Sequence, residues 1–575
     1  MIFTARRGFR ASSLFPLAVL ACALGACAEP QAPPPALPVA PQPVPPPPAP
    51  VPAQKKEDPF AVKGPFRPDL RPTAPTRDVS TVVSVVAHSA APWRKAVPAA
   101  PATCKPYLAK AKKKPSVVCD KLMPSAEGKR DGAGVLLLEA MSEADPTKRD
   151  VLLAELSACK GMPQEELVAL RATLAPPECA DGIVAPLAEN PAALSSLDKR
   201  LSHTIVGLWL AGQLARTVPA IPSMAPPYTK EAVLKFTNGP VKTWFSSQGL
   251  AVDELSKLGA SLEGQGRVIV AIEAGLADMR FVERAREVPM PDAWRKDPEI
   301  AHVYQQALDQ AMEPRKLRGR DAALTGLNDA ASLGIVQDAR ISRARQLLSK
   351  LYGGSRIDAL DGLLLPVRPE PQLPTLSHKL ASKLPFAFGE RLVVPLATDS
   401  AWLDAVAMQG LPPAFRGKDA APDERFERLA RVRLDLAKLY FRGTEADQVL
   451  SLAEGRMDKL ASPDARFYVA LALTLRHAPE GAAAMMKVAS PAALGLAHTE
   501  ALDELAAGTG PHAGLAAFDA AWLRQLSPPE GAGSDYFEDL AKRFNAAEAK
   551  LTNPADKAKA KERAVVATET AKAAR

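Results

Sequence analysis

Glu299 and His302 form an E-x-x-H pair, the spacing with which some helices hold a metal. On a helix beginning after Pro298, a three-residue step places the carboxylate and the imidazole on one face. Di-iron helical bundles need this pair twice, with two further carboxylates, and the seven histidines of the chain offer no second copy. We therefore predict a surface histidine, no metal site and no cofactor.

Other catalytic patterns are equally sparse in the sequence. Gly264-Gln265-Gly266 lacks the third glycine and the preceding strand of a dinucleotide-binding turn, so a tight turn is the better interpretation. No G-x-S-x-G, H-E-x-x-H or phosphate-loop pattern occurs. We predict that the protein has no catalytic residue of a known motif and is not an enzyme.

The first 26 residues have the layout of an export signal. Arg6, Arg7 and Arg10 precede an apolar run from residue 14 to 24, which is shorter than the ~20 residues a membrane span needs. Leu24-Gly25-Ala26-Cys27 then resembles the lipobox of bacterial lipoproteins. The resemblance implies cleavage before Cys27, lipidation of its thiol by diacylglyceryl and acyl chains such as palmitate, and, with Ala28 next, an outer-membrane location.

Two questions about export stay open. Arg6-Arg7-Gly8-Phe9 is similar to a twin-arginine signal, although Arg10-Ala11 departs from that pattern, so the general and the twin-arginine routes both remain. The sequence also does not distinguish a periplasmic from a surface-exposed body.

A proline-rich stretch follows the lipobox cysteine. Thirteen of the twenty-three residues from Pro30 to Pro52 are proline. Such a run favours extended polyproline II at ~3.1 Å per residue, roughly 70 Å in all. We predict a disordered tether over residues 27–75 that separates the folded body from the membrane.

Four cysteines remain for structural bonds, because Cys22 leaves with the signal and Cys27 is lipidated. An even number of cysteines in an exported chain favours disulfides over a zinc site, which would need C-x-x-C or histidine spacing. Three pairings are open, of which sequential pairing would close the two shortest loops. The candidates are Cys104, Cys119, Cys159 and Cys179.

A lysine cluster lies between the first two of these cysteines. A solvated lysine run is the plainer interpretation, and contact with an anionic glycan or cell-wall polymer is the functional one. Nucleic acid is not an expected partner outside the cytoplasm. The cluster comprises Lys105, Lys110, Lys112, Lys113 and Lys114.

Length and composition favour a folded, helical body. The chain has 575 residues, 47% hydrophobic and 24% charged, with a net charge of +8. These are ordinary globular values that allow about three or four domains. Apolar positions recur at helical spacing from about residue 130 onward, and the two short strand candidates are Val82–Val86 and Arg391–Val394. We predict an all-α fold, a helical-hairpin solenoid in two blocks.

Residues 421–551 show a repeated helix-turn-helix pattern. Successive odd helices begin about 30 to 40 residues apart, with Pro422 and Pro463 opening two of them. With Ala437 and Tyr440 near consensus positions, the pattern resembles degenerate tetratricopeptide-like repeats. The resemblance implies a solenoid whose concave face binds proteins.

These patterns divide the chain into six parts. A signal peptide (1–26) and the tether (27–75) precede a helical domain with a cysteine-containing N-terminal part (76–364). A proline-rich linker (365–420) then leads to the repeats (421–551) and to a basic Ala/Lys-rich tail (552–575), expected to be an exposed, fraying helix.

Together these features predict an outer-membrane-anchored, non-catalytic scaffold. Its expected partners are envelope proteins, bound through the helical concave face, and the membrane, bound through the lipid on Cys27. The alternative is an envelope enzyme or binding protein that acts on cell-wall material or anionic glycan.

Overall fold

A computed structural model describes residues 78–87, 92–108, 118–125, 129, 131–333, 335, 338–351, 359–367, 376–393, 422–440, 443–454, 460–476, 499–529 and 531–575. Cys27, the tether and the lysines from 110 to 114 lie outside these residues. Every regular element in the described ranges is a helix, so the all-α prediction is confirmed.

The N-terminal block contains seventeen named α-helices in the described part of the chain. They are α1 Val79–Ala87, α2 Pro92–Ala96, α3 Lys105–Leu108, α4 Ala133–Ser142, α5 Pro146–Glu155, α6 Gln164–Leu174, α7 Ala180–Ala188, α8 Pro191–Ser196, α9 Lys199–Arg216, α10 Lys230–Phe236, α11 Lys242–Gly259, α12 Gly264–Ala285, α13 Asp292–Arg295, α14 Pro298–Ser332, α15 Ala339–Leu351, α16 Leu376–Lys383 and α17 Phe386–Phe388.

The C-terminal block is a stack of helices in which consecutive members pack together, as in hairpins. Its described helices are α18 Pro422–Tyr440, α19 Gly443–Ala453, α20 Pro463–Leu475, α21 Glu500–Ala507, α22 Ala513–Leu526, α23 Ser534–Lys550 and α24 Pro554–Ala573. The two helices of a pair pack against each other in α18/α19, in α21/α22 and in α23/α24, and α18 also packs on α20.

Helix α9 forms the centre of the N-terminal block. Every residue from Leu201 to Leu214 is buried, since α7 and α12 pack against it. Its first turn is closed by the Asp198 carboxylate, which accepts the N–H groups of Arg200 and Leu201. Helix α9 is therefore buried on all sides.

The crossing of α9 and α12 depends on glycine. A Cβ on Gly266 would lie 2.1 Å from the His203 carbonyl oxygen, and one on Gly207 would lie 2.5 Å from the Gly266 Cα. The two backbones approach this closely only because neither residue has a side chain. Gly264, with φ of +52°, is the first residue of α12, so the tight turn predicted at Gly264-Gln265-Gly266 is instead the first turn of a helix.

The strand prediction at Val82–Val86 is wrong. These residues belong to α1, in which Val79, Val82, Val83 and Val86 are buried and Val85 is 43% exposed. Their i, i+3, i+4, i+7 spacing gives one apolar helical face, and packing of that face outweighs the β preference of valine. The second candidate is also wrong where it is described, because residues 391–393 form a π-helical turn, Gly389–Val393.

Two segments predicted to lie outside the packed body are part of it. Residues 376–393, inside the predicted linker, add Leu380, Leu384 and Phe388 to the N-terminal core. The C-terminal tail is the helix α24, whose alanine face, including Ala560 and Ala564, is buried. Because alanine lets helices approach closely, α24 packs on α23 and is not the exposed, fraying helix expected.

Helix α18 joins the two blocks. One of its faces places Phe426, Leu434 and Ala437 in the C-terminal core, and another places Val432 and Leu436 in the N-terminal core. The two cores therefore share one helix.

Candidate functional site

The C-terminal helices hold a stretch of their own chain that is not α-helical. This internal segment, residues 359–367, makes one 3₁₀ turn, Ala359–Gly362, and then continues without regular structure. Leu360, Leu363 and Leu364 are exposed by only 1%, 2% and 7% and belong to the C-terminal core. The segment is thus inserted by its leucines among the helices of that block.

Two charged side chains bind the middle of the segment by its main chain. The Lys438 ammonium of α18 donates to the Leu363 carbonyl oxygen at 2.8 Å. The Leu364 N–H donates to Asp519 Oδ1 of α22 at 2.7 Å. Charge-assisted bonds of this kind are shorter and stronger than neutral ones.

Two further cations bind main-chain carbonyl groups on either side of Leu363 and Leu364. Arg431 of α18 donates to the Pro366 carbonyl oxygen at 2.8 Å, and Lys559 of α24 donates to the Gly362 carbonyl oxygen at 3.3 Å. Four side chains from three helices therefore contact main-chain atoms of the internal segment.

Gly362 fits closely against an aromatic ring. A Cβ at this position would lie 2.3 Å from a ring carbon of Trp522. The Arg563 guanidinium lies 4.6 Å from the centre of the same ring, a cation-π contact. Only glycine lets the segment pass this ring without displacing it.

The electrostatics of the site follow from its burial. Burial raises the pKa of the Asp519 carboxyl well above its usual range, against the Leu364 N–H and the Lys438 charge, which lower it. Burial also lowers the pKa of Lys438. Asp519 Oδ2 has no hydrogen-bond partner in the structure. The site thus contains a buried carboxyl group and a buried ammonium group that both bond to the segment between them, and the charge of Asp435 supports Lys438 more than that of Asp519 does.

This segment was not predicted from the sequence, because the predicted domain boundary falls within it, between residues 364 and 365. The available signal was a run of leucines at positions 360 and 363–365, too short for a helix, between Gly353-Gly354 and Pro366. Such a run is typical of a buried, non-helical stretch as much as of a helix end.

The four cysteine candidates form two nested disulfides. Cys104 bonds to Cys179 and Cys119 bonds to Cys159, at sequence separations of 75 and 40. All four are buried. The disulfides therefore do not follow the sequential pairing, and no bond links Cys104 directly to Cys119 around the lysine cluster. Lys105 is exposed at the start of α3, and Lys110, Lys112, Lys113 and Lys114 lie outside the described residues.

Glu299 and His302 lie exposed on the first turns of α14. The Nε2 atoms of His302 and Gln306 are 2.9 Å apart. Across the described ranges, no group of three or more histidine, cysteine or acidic residues could hold a metal ion.

A cleft of about 340 Å³ opens between α9, α12 and α15. Its charged groups largely bond to the protein itself: Arg343 pairs with Glu273 at 3.1 Å, and Arg280 donates to the Leu214 and Thr217 carbonyl oxygens. No histidine, serine or cysteine is among its lining residues. Its acidic lining residues are Glu178, Glu273 and Glu283.

Two carboxyl groups of raised pKa are not among the residues that line this cleft. Burial raises the pKa of Glu166 to about 7, and Arg391, 3.4 Å away, opposes the shift. Burial likewise raises the pKa of Asp278 to about 7 against Arg315, while Arg318 Nε donates to the same carboxylate at 2.6 Å. Glu166 pairs with Arg391 and Asp278 pairs with both Arg315 and Arg318, so each carboxyl links two packed elements, which is a structural arrangement.

No family model, no curated protein and no solved structure matches this chain. Within the part of the chain that the structure describes, no helix is both long enough and apolar enough to span a membrane.

Proposed function

We propose that this protein is a lipid-anchored, non-catalytic scaffold of the bacterial outer membrane whose helical body binds other envelope proteins. The observation that carries the proposal is the way the C-terminal helices hold the internal segment. They accept three leucines and bond to the main chain on either side, which is the chemistry a helical repeat needs to bind a protein segment.

The proposed location is supported by two independent features. The stretch Leu24–Cys27 resembles a lipobox, and two buried disulfides suit an oxidising compartment outside the cytoplasm. The proline-rich stretch after Cys27 would then carry the helical body away from the membrane.

Site-specific photo-crosslinking in cells tests the proposed binding. A photoreactive residue replaces Val367, which is 73% exposed at the end of the internal segment, and in a matched control it replaces Val151, which is 49% exposed on α5. We expect discrete protein adducts from position 367, few from position 151, and none when Cys27→Ala mislocalises the chain.

Adducts to glycan or cell-wall fragments alone would contradict the scaffold and favour the alternative function. An equal set of protein adducts from positions 367 and 151 would show non-specific neighbours and would contradict it as well.

A further inference from the structure

The internal segment has the features of a bound peptide ligand. Its three buried leucines, Leu360, Leu363 and Leu364, have the spacing L-x-x-L-L, and the chain then runs on to a buried Pro366. The side chains that hold its main chain come from α18, α22 and α24. The segment belongs to neither helical stack, although it completes the core of one of them.

We propose that the face formed by α18, α22 and α24 is a binding site for a leucine-rich protein segment, and that residues 359–367 are an intramolecular occupant which an external segment must displace. This inference rests on the proposed function and names the ligand class that the scaffold binds.

The contacts define the ligand more closely. The bonds from Lys438, Asp519 and Arg431 go to main-chain atoms, so any peptide of the same conformation can make them. Specificity must therefore come from the leucine pockets, from the close approach of Trp522 to Gly362, and from Arg345 of α15, which pairs with the Asp361 carboxylate at 2.8 Å. The expected recognition pattern is L-D-G-L-L followed, two residues on, by proline.

The occupant is covalently attached, and this sets its strength as a competitor. A segment on the same chain as its site competes intramolecularly, at an effective concentration that reaches the millimolar range where the connection is short and flexible. An external peptide with the same contacts therefore binds weakly until the internal segment is released. A natural partner must make additional contacts or supply a tighter segment.

Peptide binding to the purified full-length protein in detergent tests the proposal. The probe is a fluorescent synthetic peptide with the sequence of residues 359–367. The released variant carries Leu363→Asp and Leu364→Asp, and the matched control carries Val367→Asp, which changes an exposed residue of the same segment. We expect the released variant to bind the peptide at least about tenfold more tightly than the wild type or the control, because its own occupant no longer competes.

The bound peptide must lie on the proposed face. Adding Lys438→Met to the released variant removes the donor to the second leucine carbonyl and keeps the length of the side chain. We expect this change to weaken peptide binding by about tenfold or more, as the loss of a charged hydrogen bond does. A peptide carrying the two leucine-to-aspartate changes should not bind.

A folded released variant that does not bind the peptide overturns the proposal, and so does a wild type that binds it equally well. Retention of both disulfides and of the helical circular dichroism signal shows that the variant is folded. If it does not fold, protease sites inserted within 352–358 and 368–375 cut the segment free with its leucines intact. Exchange of the freed fragment for labelled peptide then supports the proposal, and failure to exchange at millimolar peptide overturns it.

The two proposals can fail separately. Peptide binding by the released variant without protein adducts in cells would retain the site and refute the scaffold. Protein adducts without peptide binding would retain the scaffold and refute this site as the one it uses.

Discussion

The stability that each nested disulfide adds to the N-terminal block depends on whether the other disulfide is closed. The outer bond, Cys104–Cys179, spans 75 residues and encloses the inner bond, Cys119–Cys159, which spans 40. Once the inner bond is closed, the outer one restricts only the remainder, about 35 residues of free loop. In the chain-entropy model, replacing the outer pair by serine costs about 3.8 kcal/mol and replacing the inner pair about 3.2 kcal/mol.

The same model makes the double loss larger than the sum of the single losses. Replacing all four cysteines costs about 7.7 kcal/mol, because neither bond then shortens the loop that the other would close. Urea-dependent hydrogen exchange of the amides in α9, the buried centre of the block, measures each loss. Cys27→Ser, at a position outside the described residues, is the matched cysteine control.

Sequential pairing would give a different pattern of losses. Each two-serine variant would then remove one cysteine from each bond, so both bonds would be lost. Cys104→Ser with Cys179→Ser would lose as much stability as Cys119→Ser with Cys159→Ser. Each would also lose as much as the four-serine variant. Equal losses in all three, or a non-reduced peptide map that links Cys104 to Cys119, would refute the nested arrangement.

Three further predictions concern packing, pH and the anchor. Gly266→Ala should lower the free energy of unfolding by ~1–3 kcal/mol, because its Cβ meets a backbone oxygen at 2.1 Å. The control Gly239→Ala, whose Cβ would have nothing within 4 Å, should not lower it. Equal losses of stability in urea unfolding would contradict this prediction. The pKa of Glu166 is about 7 in the folded protein and 4.5 in the unfolded chain, so the unfolded chain releases the proton at lower pH. The free energy of unfolding should therefore fall by up to about 3 kcal/mol as the pH rises from 4.5 to about 7. Glu166→Gln should lack this fall in stability with rising pH. If the free energy of unfolding changes by the same amount between pH 5 and pH 8 in the variant and in the wild type, the pKa of Glu166 is not raised. Cys27→Ser should abolish incorporation of radiolabelled palmitate, and persistent labelling would mean that the lipobox prediction is wrong.

Helices with strong local signals were predictable from the sequence. Helix α9 contains the apolar run from residue 205 to 212 and ends before a proline-rich turn. Pro463 follows Ser462, a cap whose hydroxyl accepts the Ala465 N–H. Such signals act within a few residues, so they do not depend on what packs against the helix.

Features that depend on distant contacts were not predictable. Val79–Ala87 has the composition of a strand, and only burial of its face against α8 and α9 makes it a helix. The disulfide pairing and the placement of residues 359–367 likewise depend on which elements meet in space. Leu364 lies 155 residues from Asp519, whose carboxylate accepts its N–H, and no local pattern encodes that bond.

The shared helix α18 limits how this protein can change during evolution. Its apolar positions are divided between two cores, and its polar positions are also engaged: Arg433 pairs with Glu445 at 3.1 Å, and Lys438 holds the internal segment. A gene fusion that kept only residues before 422 would uncover the first core, and one that began there would expose Val432 and Leu436. The two blocks must therefore be inherited together. A substitution on this helix is selected for its effect on the packing of both cores.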